Sequence, residues 1–129
     1  MKKLLFVMIT LLALSACQES MDERCAREAR EYTKKKCPVL ITRGVTIDSM
    51  VFYPDTRTIA YYYTAEGVID DAEALKKHDL RGIMLKELRN SANLKDYKEA
   101  GYNFSYIYYS TKNKGTRLFE ATFQKKDYQ

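Results

Sequence analysis

Pairs of β-forming segments occupy much of this sequence, and a helical segment precedes each pair. The first pair, residues 45–53 and 58–64, is rich in the β-branched and aromatic residues that favour strands. The second pair, residues 102–111 and 116–124, encloses a four-residue connection in which Gly115 suits a positive φ. The sequence therefore predicts two β-hairpins.

The helix before the first hairpin is predicted to start just after Ser20. Ser20 and Glu23 have the spacing of a capping box, in which both side chains satisfy free backbone N–H groups. Cys25 and Ala29 belong to a narrow apolar stripe with helical spacing. Pro38 disfavours helical geometry at the residue before it, so the helix should end there.

A second helix is predicted between the hairpins, beginning near Asp70. Glu73 completes another capping pattern at this point. Gly82 lies inside the helix, at a cost of about 1 kcal/mol relative to Ala, and Gly101 suits the end of a short helical turn that follows. The buried side of this helix is expected to comprise Leu75, Leu80, Ile83, Met84 and Leu88.

The expected architecture is an α+β domain with the element order α-β-β-α-β-β. An isolated hairpin is only marginally stable in water, so both hairpins should join one four-stranded antiparallel sheet. The two helices should then pack on one face of that sheet. No linker or low-complexity tract interrupts residues 20–129, which predicts a single domain.

The first sixteen residues have the organisation of an export signal. Lys2 and Lys3 precede an apolar run at residues 4–14, which is shorter than the roughly 20 residues of a membrane span. The run ends in Leu14-Ser15-Ala16-Cys17, which resembles the lipobox of bacterial lipoproteins. The resemblance implies a cleaved signal peptide at residues 1–16, lipidation of Cys17, and a short anchored tether at residues 17–19.

The resemblance also implies a location in the bacterial cell envelope. Cleavage would remove two of the basic residues that give the chain its net charge of +5, and no acidic residue. Nucleic acid is therefore not an expected partner, on grounds of both compartment and charge. Gln18, rather than Asp, follows the lipidated cysteine, which by analogy with the enterobacterial sorting rule favours the outer membrane. The acyl chains would hold the domain at the membrane surface without spanning it.

A second resemblance covers most of residues 30–110. A helix ending in a residue–Pro pair, an apolar-Asp-Ser-apolar strand and strands with Tyr-x-Tyr resemble an uncharacterised family of small exported bacterial proteins. This resemblance implies the fold order and the envelope location, and it implies no catalytic residue. The segments that carry it are Cys37-Pro38-Val39-Leu40-Ile41, Thr46-Ile47-Asp48-Ser49-Met50, Ile59-Ala60-Tyr61-Tyr62-Tyr63-Thr64 and Tyr106-Ile107-Tyr108.

Two cysteines remain besides Cys17. Cys25 and Cys37 would be about 18 Å apart on a continuous helix, whereas a disulfide needs Cα atoms within about 7 Å. Either the helix ends well before Cys37, or the two are not bonded to each other, and we expect them to be unpaired. His78 is the only histidine and no ligand cluster surrounds either cysteine, so neither a metal site nor a cofactor is expected.

Tyrosine is strongly enriched, with eleven Tyr and no Trp. Because successive strand residues face opposite ways, Tyr62 should lie on the face opposite its neighbours Tyr61 and Tyr63. Tyr109 should likewise lie opposite Tyr106 and Tyr108. The tyrosines under the helices are expected to pack with Ile47, Ile107 and Phe119.

We expect Tyr62 and Tyr109, with the strand residue Asp48, to form a surface on the open face of the sheet. Cross-strand aromatic pairs can stabilise a sheet without any ligand. The functional alternative is non-catalytic binding of an envelope protein or a second copy, through the open face or a sheet edge. A small-molecule or glycan binder using the same tyrosines is a further alternative, and a small hydrolytic enzyme relying on Asp48 is a weaker one.

Overall fold

A computed structural model describes residues 18–129, and the predicted signal peptide and Cys17 lie outside this range. Two short 3-10 turns, Gly67–Ile69 and Ala92–Leu94, lie in the segment between the third and fourth strands. The helices are α1 (Met21–Lys36), α2 (Ala72–Lys77), α3 (Leu80–Asn90), α4 (Lys95–Glu99) and α5 (Lys125–Tyr128). The strands are β1 (Val39–Thr42), β2 (Val45–Tyr53), β3 (Thr58–Ala65), β4 (Asn103–Ser110) and β5 (Arg117–Phe123).

Helix α1 confirms the prediction made from its capping pattern. The Ser20 hydroxyl accepts a hydrogen bond from the backbone N–H of Glu23 at 3.1 Å. Cys25 and Ala29 are buried, as the apolar stripe predicts, and the helix ends before Cys37. Lysines fill the last turn, where positive charge interacts favourably with the helix dipole.

The single second helix predicted from Asp70 is wrong in detail, because the chain forms two helices. Asp71, not Asp70, caps α2, and its carboxylate accepts from the backbone N–H of Glu73 at 3.1 Å. The chain then breaks at Asp79, which has a left-handed φ of 50° and caps α3 by accepting from the N–H of Gly82. A β-carbon at residue 82 would overlap the Asp79 carboxylate, so glycine permits this cap.

The fold is α+β as predicted, but its sheet has five strands and is mixed. Its order is β1-β2-β3-β4-β5, and β3 and β4 run parallel while every other pair is antiparallel. The predicted four-stranded antiparallel sheet is therefore wrong. The two hairpins join through β3 and β4. The helical segment between these strands carries the chain back to the end of the sheet at which β3 begins, so β4 runs in the same direction as β3.

The sequence pattern does not predict β1. Its four residues are too few for an alternation to be recognised, and all are exposed. Leu40 is 67% exposed, so burial gives no signal either. The strand exists because residues 43 and 44 form a tight turn, in which Gly44 has a φ of 80°, and this turn brings Val39 opposite Ile47.

Helices cover one face of the sheet, which we call the helix face. Helix α1 packs on β2 and helix α2 on β5. The core on this face includes alternate residues of β3 and β4, whereas Tyr62 and Tyr109 point to the opposite, open face. Ile107 is also on the open face, where it is only 4% exposed, so its predicted place under the helices is wrong. The helix-face residues of the two central strands are Ile59, Tyr61, Tyr63, Ala65, Phe104, Tyr106 and Tyr108.

Gly44 should be far less tolerant of substitution than Gly115. Both have a positive φ, but a β-carbon at Gly44 would lie 2.8 Å from the backbone oxygen of Glu66, whereas nothing lies within 4 Å at Gly115. Left-handed strain alone predicts a loss of about 1 kcal/mol for Gly115→Ala. Gly44→Ala adds a backbone clash, and its loss should reach about 3 kcal/mol. Urea unfolding of both variants tests this, and equal losses would contradict it.

Asp70 is buried between the helical segment and the second hairpin. Its carboxylate accepts from the backbone N–H groups of Thr111 at 3.1 Å and Lys112 at 2.9 Å. The Ser110 hydroxyl and the Lys112 N–H lower the pKa of Asp70, and Oδ1 of this carboxylate is buried without a hydrogen-bond partner among residues 18–129. The carboxylate thus fixes the turn after β4 relative to the segment before α2.

Because folding lowers the pKa of Asp70, the stability that this carboxylate contributes is fully present above the pKa of the unfolded chain. It is lost as the pH falls through the folded-state pKa. Asp70→Asn should therefore unfold more easily at pH 7 and lose less stability on acidification than the parent. Ser110→Ala should reduce the acid dependence in the same direction. Urea unfolding from pH 7 to about pH 2 measures this, and an unchanged pH slope in both variants would refute it.

Candidate functional site: two tyrosine surfaces

The open face carries one cluster of tyrosines, which we call the open-face patch: Tyr53, Tyr62, Tyr109 and Arg117. The rings of Tyr62 and Tyr109 stack with centroids 6.5 Å apart and planes 17° apart. The hydroxyls of Tyr53 and Tyr62 are hydrogen-bonded at 2.6 Å. The Arg117 guanidinium lies 5.8 Å from the Tyr109 ring centroid. The structure therefore brings together the two tyrosines that the sequence nominates and adds Tyr53 and Arg117.

These contacts follow from strand pairing across the middle of the sheet. Tyr62 of β3 and Tyr109 of β4 are offset by two residues in the parallel register, in which Tyr62 pairs with Ile107 and Thr64 pairs with Tyr109. Burial, and then the hydrogen bond with Tyr53, raise the pKa of Tyr62 to about 12. Its hydroxyl is therefore neutral at physiological pH and can both donate and accept hydrogen bonds.

Asp48, the third nominated residue, lies outside the open-face patch. A bulge between Ile47 and Ser49 interrupts the pairing of β2 with β3 and accommodates Asp48. Its carboxylate is exposed and accepts a hydrogen bond from the hydroxyl of Thr64. This bulge explains how a strand accommodates an aspartate, a residue that strands disfavour.

A second set of tyrosines forms a ladder on the helix face. Tyr61 stacks on Tyr106 with centroids 5.3 Å apart, and Tyr63 stacks on Tyr108 with centroids 4.5 Å apart. Tyr63 also contacts Tyr106, at 6.5 Å, which makes the ladder continuous. The rings turn their faces toward one another, so their edges and hydroxyls are directed away from the sheet.

The Tyr63 and Tyr108 end of this ladder lines a cavity of about 430 Å³, which we call the tyrosine slot. The slot lies between α3 and the segment around the β1–β2 turn. Its charged lining residues are Glu87, on α3, and Arg43, in that turn. The aliphatic side chains that line it are Ile41, Val45, Ile69, Leu75, Leu80, Ile83 and Met84.

The ladder hydroxyls have no hydrogen-bond partner among residues 18–129, although Tyr63 is 7% exposed and Tyr108 only 3% exposed. Buried tyrosine hydroxyls elsewhere in the core are paired. That of Tyr97 donates to Glu28 at 2.8 Å, and that of Tyr128 donates to a backbone oxygen at 2.8 Å. The ladder hydroxyls reach solvent at their tips, because among residues 18–129 the one side-chain oxygen that is buried without a partner is Oδ1 of Asp70.

Glu87 is the acidic residue that lines this slot. Burial, and then the charge of Glu87, raise the pKa of Tyr108 to about 12. The same two causes raise the pKa of Tyr106. Within the described part of the chain Glu87 forms no ion pair. The alternation of side chains along β3 and β4 is a sequence signal from which the ladder could be predicted. The slot has no such signal, because it depends on where α3 packs relative to the ladder.

The two other cysteines and the histidine do not belong to the open-face patch. Cys25 is a fully buried free thiol and Cys37 a partly buried one. Burial raises the pKa of Cys25 to about 12. His78 is exposed at the C-terminal end of α2, where its backbone N–H caps the helix, and it also lines the tyrosine slot. No group of three or more His, Cys, Asp or Glu suited to a metal ion occurs within residues 18–129.

No helix in the described part of the chain is long and apolar enough to cross a membrane. No curated protein matches the chain significantly. In fold it is similar to the 1.60 Å crystal structure of a "putative secreted protein" from Pseudomonas aeruginosa, with a TM-score of 0.67 and 10% sequence identity. That match covers 87% of this chain and the whole of the other. A family model described as a domain of unknown function (DUF8479) matches residues 20–119, and the chain belongs to this family.

Proposed function

We propose that this protein is a lipid-anchored binding protein of the bacterial cell envelope, and that it engages another envelope protein through the open-face patch. Its activity is non-catalytic in this proposal. The observation that carries it is the contact network of Tyr53, Tyr62, Tyr109 and Arg117 on the sheet face that no helix of residues 18–129 covers.

The sequence supports export and anchoring, and the comparison supports export alone. The lipobox-like Leu14-Ser15-Ala16-Cys17 follows a basic and apolar leader of the right length. The Pseudomonas aeruginosa protein with a similar fold is described as secreted, which agrees with an exported chain. Gln18 after the cysteine favours the outer membrane as the anchoring membrane.

The composition of the patch favours a protein partner. Tyrosine and arginine are enriched at protein interfaces and carry much of their binding energy. The patch is also well ordered, because each member contacts another, so little side-chain entropy remains to be lost on binding. Ile107, which pairs with Tyr62 and is only 4% exposed, packs beneath the patch.

A glycan fits the same surface less well. Sugar rings stack on free aromatic faces, but Tyr62 and Tyr109 turn theirs toward each other, and Arg117 lies over Tyr109. Only the ring edges and hydroxyls of these two tyrosines are left for contact with a ligand. Asp48, the residue on which a hydrolytic enzyme would rely, is hydrogen-bonded to Thr64 at an exposed bulge, which supports a structural role for it.

Lipid anchoring is tested by replacing the thiol that would carry the acyl chains. Cys17→Ser should abolish acylation and release the protein from membranes, because the thiol of Cys17 is the atom to which the acyl chains would be attached. Mass spectrometry and membrane fractionation in the host measure this. Cys37→Ser is the matched control and should remain acylated. Unchanged membrane association of Cys17→Ser would exclude the anchor.

The binding surface is tested by crosslinking in host envelopes, followed by affinity capture of the full-length protein and mass spectrometry. One stoichiometric protein partner is expected. The double variant Tyr62→Ala/Tyr109→Ala should lose it at least tenfold, since it removes two interface aromatics. Circular dichroism and urea unfolding check that the variant is folded.

The matched control is Leu40→Ser, which changes the exposed edge strand β1 and leaves the open face intact. Capture should be unaffected in this variant. If Leu40→Ser lost the partner and the double variant kept it, the interface would lie at the sheet edge and not on the open face. Capture of no protein would refute the proposal and leave glycan or small-molecule ligands to be screened.

A further inference from the structure

The strand β1 leaves one edge of the sheet open. Among residues 18–129 it pairs with β2 alone, so the backbone N–H and C=O groups on its outer side have no strand partner. Its four residues carry no charge and all are exposed, Leu40 and Ile41 by more than half. An open edge with exposed apolar side chains favours pairing with another strand.

The opposite edge of the same sheet is protected. Strand β5 carries the ion pair of Arg117 with Glu120, and helix α2 packs against it. Charged side chains and covering helices are two devices by which proteins prevent an edge from pairing. The sheet therefore has one guarded edge, at β5, and one edge suited to association, at β1.

The side chains of β1 are divided between the two faces of the sheet. Val39 pairs with Ile47, which lies in the core, so Val39 points to the helix face. Leu40 pairs with Thr46 and, as the next residue along the strand, points to the open face. Ile41 lines the tyrosine slot and therefore lies on the helix face. The edge thus presents apolar side chains on both faces.

We propose that two copies of this chain pair through β1, antiparallel, about a twofold axis that passes through Leu40 perpendicular to the sheet. Residues directly opposite each other in an antiparallel pair share a face. This register sets Leu40 against Leu40 of the second copy on the open face. It sets Val39 against Ile41 of the second copy on the helix face, where Ile83 borders the same cavity as Ile41 and is 49% exposed.

The apolar residues of β1 select this register. A shift by one residue would set side chains of opposite faces against each other. A shift by two residues would set Leu40 against Pro38 or Thr42 of the second copy. Only pairing about Leu40 gives each of the three apolar residues an apolar partner, and the edge is therefore complementary to itself, as a twofold interface requires.

The helices leave room for this pairing. Helix α1 packs on β2, so the α1 helices of the two copies would be separated by three strand spacings, about 14 Å. This exceeds the diameter of a helix with its side chains, about 10–12 Å. The axis also keeps both open-face patches on one side of the dimer, so pairing leaves them free.

A membrane suits this edge less well than a second copy does. Hydrocarbon would leave the outer N–H and C=O groups of β1 unpaired, which is costly, whereas a second β1 strand pairs with them. Because the strand is uncharged, two copies also meet without like charges opposite each other.

The interface is small. The bulge between Leu40 and Thr42 keeps the regular pairing short, so the buried area falls below the roughly 1,200 Å² of stable complexes. The dimer should therefore be weak in dilute solution and form in the envelope, where anchoring to one membrane raises the effective concentration. That confinement rests on the proposed lipid anchor, whereas the pairing itself does not.

Disulfide crosslinking of the full-length protein in host envelopes tests the pairing. All variants carry Cys37→Ser, because the Cys37 thiol is partly exposed. Leu40→Cys should give a disulfide-linked dimer on oxidation, since the β-carbons of directly opposed residues lie about 4.5–5.5 Å apart. Glu120→Cys is the matched control, with an exposed thiol on the guarded edge, and should dimerise at least about tenfold less.

The register is tested with two differently tagged copies, one with Val39→Cys and one with Ile41→Cys. These should crosslink to each other more than Val39→Cys does to itself, because that pair is diagonal, with about 7–8 Å between positions. Leu40→Lys in both copies sets two like charges opposite each other on the axis and should reduce this crosslink severalfold.

The contrary outcomes are distinct. A Leu40→Cys dimer no stronger than that of Glu120→Cys would refute the pairing, and a stronger Val39→Cys self-crosslink would refute the register. If mass spectrometry found Leu40→Cys joined to a different protein, the edge would receive a partner's strand and the homodimer would be wrong. The Leu40→Cys dimer should persist in the Tyr62→Ala/Tyr109→Ala background, so failure of the open-face proposal leaves this test readable.

Discussion

The parallel pairing of β3 with β4 is the interaction on which the rest of this structure depends. Its register sets Tyr61 beside Tyr106 and Tyr63 beside Tyr108 on one face. It also places Tyr62 diagonally from Tyr109 on the other face. Both tyrosine surfaces are consequences of this single register. A shift by one residue would exchange the two faces of a strand and dismantle both surfaces.

Tyrosine suits these central strands for a geometric reason. Helix α1 covers β2 and helix α2 covers β5, so the side chains of β3 and β4 fill the space between the two helical regions. A long aromatic side chain fills that depth and ends in a group that tolerates water. Elsewhere the fold satisfies such groups, as when Tyr128 donates to the backbone oxygen of Tyr102 at 2.8 Å.

Polar side chains at a few positions hold the connections around the sheet. Asp79 caps α3 from a left-handed conformation that Gly82 makes possible. Asp70 joins the segment before α2 to the turn after β4. Both are short acids that accept backbone N–H groups at a chain reversal, a common use of aspartate. The arrangement fixes where α2 and α3 lie, and hence where the slot opens.

The sequence by itself determined the features that depend on near neighbours. Capping at Ser20, the end of α1 before Pro38, the bounds of β2 and the opposite directions of Tyr62 and Tyr63 all follow from local backbone geometry and strand alternation. Only the tertiary structure decided that β3 and β4 are parallel and that β1 exists as an edge strand.

The burial of Ile107 on the open face was likewise decided by tertiary structure. These features depend on contacts between segments far apart in the chain, and two hairpins with the same alternation can join in more than one way. The tyrosine slot belongs to the same class, because its walls come from α3 and from the turn between β1 and β2 as well as from the two central strands.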